Sequence, residues 1–146
     1  MATGNGAAPG PHLTPEQIDA FFAQYGWSYE RAEEAENVWH TDFGDERLDF
    51  HIYVQLSDDW VLFTVYPFTV RPEGDAARAR VAERLATLNN EITLAKTGID
   101  EDGDTFLTVE LPTEDFTFTH FRAALDALVE AAPPAHLELT LLATGG

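Results

Sequence analysis

The stretch Arg47–Val70, RLDFHIYVQLSDDWVLFTVYPFTV, leaves this chain little choice of fold. Leu48, Phe50, Ile52, Val54 and Leu56 recur at every second position, with Asp49, His51, Tyr53 and Gln55 between them. A period of two belongs to an extended strand with one buried face, because successive side chains point to opposite sides of the backbone. Ser57–Asp59 then turn the chain. Trp60–Val70 follows, apolar on both faces at first, the composition of a central or doubly covered strand. Pro67 has no N–H to give a ladder, which assigns its end of that strand to an edge or a bulge.

Helical periodicity brackets these strands. In LTPEQIDAFFAQYG, Thr14 is a capping residue, Pro15 suits the first helical position and Gln17 completes a capping box. Ile18, Phe21, Phe22 and Tyr25 form one apolar face, and Gly26 ends the helix. A second helix carries Val81, Leu85 and Leu88 on its buried stripe. A third, over Phe118–Ala131, carries Phe118, Phe121, Leu125 and Leu128, with Pro133 and Pro134 expected to stop it. The predicted order is helix, three strands, helix, two strands, helix. Antiparallel hairpins with segregated helices make this an α+β fold. Residues 1–12 read as a disordered tail, 13–132 as the domain, and 133–146 as a C-terminal tail whose Leu137, Leu139 and Leu141 alternate as in a short strand.

Between the last two strands of the domain lies GIDEDGDTFLTVELP, where four acidic side chains crowd Gly103. An EF-hand calcium loop takes ligands at positions 1, 3, 5 and 12 around a glycine at 6. With Gly103 at position 6, positions 1 and 12 are Gly98 and Val109, neither of which is a side-chain ligand. Asp100, Asp102 and Gly103 are therefore assigned to a hairpin turn, the glycine supplying a positive φ.

The run LNNEITLAKTGIDEDGDTFLTVELP, followed by FTFTHFRAALDALVEAA, resembles the YbjN family. The matching parts are Asn89 at a helix end, Ala95 and Lys96 in a strand, the Asp100–Asp104 turn, Leu111 and Pro112, and Phe121 with Leu125 and Leu128. Thr97 departs from the pattern, standing where a larger apolar or aromatic residue is expected. The resemblance covers about Leu13–Ala132. It implies a fold like that of type III secretion chaperones, possible dimerisation and binding of a protein segment. The family is described as a sensory-transduction regulator, and the resemblance brings no catalytic motif.

Composition narrows the function classes. With 26 acidic and 8 basic residues the net charge is −18. Such a surface repels phosphate, which argues against nucleic acid and anionic membrane as partners. The charge suits either high intracellular salt or a basic or unfolded protein partner. Cysteine is absent, so thiol catalysis and thiolate-held metals are excluded. The N-terminal residues lack the pattern of a signal peptide, and the expected location is the cytoplasm.

Candidate chemistry is sparse. Ser28 and Ser57 are the only serines, and neither lies on a nucleophile elbow. Adjacent carboxylates such as Asp58 and Asp59 are expected to be solvated. His40 and His51, with Asp42 and Asp49, fall on neighbouring strands. They are read as solvent-facing groups on the polar side of a sheet, the alternative being a metal- or carboxylate-dependent enzyme at the His40/His51 face. Neither catalytic residue nor cofactor is expected. Gly145-Gly146 resembles the tail of ubiquitin-like and sulfur-carrier proteins, but the element order is not theirs. Trp60, Tyr66 and Phe68 are the candidates for partner or dimer contact, on a surface through which a homodimer or a protein or peptide partner would bind.

Overall fold

The computed structural model describes residues 12–145. The expected disordered tail lies, apart from His12, outside the described residues. Helix α1 spans Pro15–Tyr25, followed by strands β1 (Glu30–Arg31), β2 (Val38–Gly44), β3 (Asp49–Leu56) and β4 (Trp60–Thr69). Helix α2 (Asp75–Glu91), strands β5 (Lys96–Ile99) and β6 (Thr105–Pro112), and helix α3 (Phe118–Ala143) complete the chain. Among the described residues these make an α+β fold with an antiparallel six-stranded sheet ordered β1-β2-β3-β4-β6-β5.

Local signals fix α1 closely. The Thr14 hydroxyl accepts from the Gln17 N–H, the Gln17 side chain accepts from the Thr14 N–H, and Gly26 closes the helix at φ 90°. Ile18 and Phe22 are fully buried. Asp19, on the same helix, ties α1 to the sheet. Its carboxylate accepts from the buried Trp39 indole at 2.8 Å and pairs with Arg31. The hydrogen bond from Arg31 leads the effects that hold the Asp19 carboxyl below the usual carboxylate range.

The alternation in β3 sorts its side chains as expected: Phe50, Ile52, Val54 and Leu56 are buried. Leu48 is not with them. It sits in the turn before β3, where its carbonyl accepts from the Asp45 N–H at 3.0 Å, and its side chain is exposed. In β4, Val61, Phe63 and Val65 continue the inner face against Leu111, Val109 and Leu107 of β6. Pro67 lies in a central strand, not at an edge. The β4–β6 register shifts between Val65 and Thr69, so the ladder needs no N–H from proline.

Helix α3 corrects the reading of the C-terminus. It runs through Pro133 and Pro134 to Ala143, so Leu137, Leu139 and Leu141 lie on a helix and not on a strand. Both prolines are on the exposed side of the helix. Water there can satisfy the carbonyls one turn back, at Val129 and Glu130, that proline leaves without a donor. The buried stripe of Phe121, Leu125 and Leu128 continues through Ala132, Ala135 and Leu139. Arg84 of α2 reaches Glu138, and Arg80 donates to the Leu142 carbonyl at 3.1 Å, so polar bonds also hold the last turns down.

Candidate functional site

The sheet has two unlike faces. Its inner face contributes Trp39, Ile52, Val54, Phe63 and Leu107 to the core, which α1, α2 and α3 complete with Phe22, Val81, Phe121 and Leu128. The intervening residues form the outer face, where side chains stay exposed or half-buried apart from Thr108. That hydroxyl is satisfied locally, donating to the Phe63 carbonyl at 2.9 Å.

Aromatic groups stand out on this face. Trp60 is 48% exposed, Tyr53 40% and Tyr66 38%. Trp60 opens β4, held by a turn in which Ser57 N–H donates to the Trp60 carbonyl at 2.9 Å and Trp60 N–H to the Ser57 hydroxyl at 3.2 Å. Tyr66 stands near the acidic turn, and the negative charge of Asp100 is the first cause raising its phenol pKa. Phe68 does not belong with them. The register shift returns it to the inner side, where it is 4% exposed and meets Phe50 and His136 edge-on or tilted. Its assignment as a contact residue is corrected to core.

The acidic turn joins β5 to β6. Gly103 has φ 88° and its N–H donates to the Asp100 carbonyl at 3.0 Å. One oxygen of the Asp100 carboxylate accepts from the N–H groups of Asp102 at 2.8 Å and Asp104 at 3.1 Å. Asp104 in turn accepts from the Arg71 N–H at 2.8 Å. The carboxylates of Asp100 and Asp104 are thus engaged by backbone donors.

The histidines come together more closely than their sequence positions suggest. The β2–β3 register sets Asp42 opposite His51 and His40 opposite Tyr53. His40 Nε2 and His51 Nδ1 lie 3.1 Å apart, with the rings stacked at 5.2 Å between centroids. Ligand atoms of His40, Asp42 and His51 all fall within 4.8 Å of one another, the arrangement among the described residues that could hold a metal ion. Asp49 stands behind, its Oδ2 3.8 Å from His51 Nε2. Both rings are half-buried, not freely solvated as expected from the polar phase of the strands.

Apolar surface also occurs where the sequence reading placed none. Leu137 and Leu141 are exposed one turn apart on α3, a spacing that a strand assignment hides. Leu94 is exposed with φ 66°, beside a groove of about 380 Å³ lined by Ala123, Ala127 and Ala131. Among the described residues no helix is long and apolar enough to cross a membrane.

Comparison with known proteins places this architecture. The YbjN family, described as "Putative bacterial sensory transduction regulator", matches residues 14–134. The crystal structure of YbjN from E. coli is similar with a TM-score of 0.64 and 16% identity, over 88% of this chain and 92% of that one. The heterodimeric ExoU–SpcU complex from the type III secretion system of Pseudomonas aeruginosa contains a chain with a TM-score of 0.57 and 19% identity, over 86% of this chain and 96% of that one. The HopA1–SchA chaperone–effector complex contains one with a TM-score of 0.57 and 12% identity, over 83% and 91%. At these identities the likeness is one of fold. No curated protein matches the chain.

Proposed function

The chain belongs to the YbjN family, and from that premise we propose that it is a non-enzymatic, chaperone-like protein-binding or regulatory module that acts as a homodimer in the cytoplasm. The observation that carries this reading is the exposed aromatic face of β3 and β4. Trp60, Tyr53 and Tyr66 stand in the open on a sheet whose other side already supplies the core. Large amphipathic rings are the residues that dominate protein interfaces, offering much contact area at small entropic cost. Fold neighbours solved in a heterodimeric complex of the type III secretion system and in a chaperone–effector complex support the same reading. The partner is a second copy of the chain, with an apolar or basic protein segment as a further ligand. A net charge of −18 disfavours nucleic acid and anionic membrane.

Light scattering at micromolar concentration tests the pair. A mass twice the 16.2 kDa of the chain is expected. Trp60→Asp and Tyr66→Asp should each convert it to a monomer with an unchanged circular dichroism spectrum, because both side chains are exposed within the chain. A monomer at every concentration overturns the dimer. A dimer that ignores both substitutions moves the interface off this face.

A further inference from the structure

We propose that His40, Asp42 and His51 form a binding site for a borderline divalent cation of the zinc class, on the outer face of the sheet. The site shares that face with the proposed dimer contact, but all of its ligands come from one chain. Three features on β2 and β3 point to it.

The first is the meeting of two imidazole nitrogens. His40 Nε2 and His51 Nδ1 are 3.1 Å apart. Two zinc–nitrogen bonds of about 2.0–2.1 Å at the tetrahedral angle put their nitrogens about 3.3 Å apart. The spacing of the two nitrogens is therefore within a few tenths of an ångström of that around a shared metal ion, which the rings reach by turning their lone pairs to a common point.

The second is the ligand set. Asp42 lies opposite His51 in the β2–β3 register, and a carboxylate oxygen of it lies within 4.8 Å of a ring nitrogen of each histidine. It is exposed, so rotation of its side chain can bring an oxygen inward. Imidazole with one carboxylate suits zinc, copper or nickel, whereas calcium and magnesium favour oxygen donors alone. Three protein ligands leave a fourth position for water or an incoming group, the pattern of an exchangeable site rather than a closed structural one.

The third is the support behind the ligands. Once Nδ1 of His51 holds the metal, its Nε2 carries the proton, and that nitrogen already faces Asp49 Oδ2 at 3.8 Å. A carboxylate behind a ligating histidine fixes its tautomer and raises its basicity. Tyr53, with its ring centroid 5.0 Å from that of His40, limits the rotation of the other ligand. The surplus of carboxylates over basic groups lowers the cost of bringing a cation to this surface.

The test uses the full chain without an affinity tag, stripped of metal and titrated with zinc chloride at pH 7.5. One saturating equivalent is expected. Binding should weaken at least tenfold in His40→Gln and in His51→Gln. A large excess of calcium should not compete. Absence of saturable binding overturns the site, and so does binding of unchanged strength in the double variant, which would assign it to dispersed carboxylates. Should the variants fold poorly, imidazole resonances of the unaltered chain decide. Zinc must shift those of His40 and His51 while leaving His120 and His136 in place, and the opposite pattern rejects the site.

Discussion

Thr97 stands where the sequence reading expects a larger apolar or aromatic side chain, and its surroundings suit a threonine. It is buried, yet its hydroxyl reaches the Leu85 carbonyl at 3.1 Å and Asn89 Oδ1 at 2.9 Å. The same Asn89 oxygen accepts from the Thr97 N–H at 2.6 Å, and Asn89 Nδ2 donates to the Thr97 carbonyl at 3.2 Å. One side chain thus stitches the end of α2 to β5. Asn89→Ala leaves those groups without their partner, and chemical denaturation should report a loss of about 1–3 kcal/mol. His136 offers a pH-dependent test. Burial against Phe50 and Phe68 depresses its pKa below the ordinary 6.5, so the folded chain favours the neutral ring. The unfolded chain binds the proton better, so this contribution is present above about pH 6.5 and lost as pH falls through the folded value. Denaturation at pH 7.5 and 5.5 should show the unaltered chain losing more stability than His136→Gln. At this scale the sequence made Asp100, Asp102 and Gly103 legible as a turn, because their geometry is local. The convergence of His40 on His51 was legible only as an alternative, since it depends on which residues of β2 and β3 face each other.

Among the elements, α1 and β3 were read from the chain almost residue by residue, the one through its capping box and the other through its alternation. The end of α3 was not. Leu137, Leu139 and Leu141 fit a period of two, while the stripe that is actually buried, Ala132, Ala135 and Leu139, is mostly alanine and leaves a faint helical signal. Proline at 133 and 134 then made a stop the natural reading, because its cost inside a helix is about 3 kcal/mol in an isolated setting. Burial of Leu139 and the arginine bonds from α2 outweigh that cost here. Leu139→Ala should therefore cost about 2–5 kcal/mol in denaturant, while Leu137→Ala, at an exposed position, should change stability little. Equal and small effects would mean that the segment after Pro134 does not dock. Phe68 was misplaced for a related reason: the register shift after Val65 reverses the phase of the strand, and nothing in the alternation of β4 announces it.

Over the whole molecule, two arginines are used as ties between elements. Arg31 holds Glu16 and Asp19, and Arg84 holds Glu91 and Glu138. Most of the 26 carboxylates have no cation to meet, since there are only 8 basic residues. Their mutual repulsion opposes the compact state, and salt screens it. The melting temperature should rise in molar sodium chloride more than in a neutral osmolyte of equal osmolarity, and a midpoint indifferent to salt would deny that repulsion any weight. The sheet sets a second constraint. Its borders are β1, two residues long, and β5, four residues long. Borders so short offer little backbone for another strand to zip onto. Association is then steered from sideways extension of the sheet to stacking against its broad surface, and a contact in which two copies cover each other's open face is used up once made. In the proposed dimer growth would stop at the pair, so a chain with an exposed aromatic sheet could be kept at high concentration without seeding fibres.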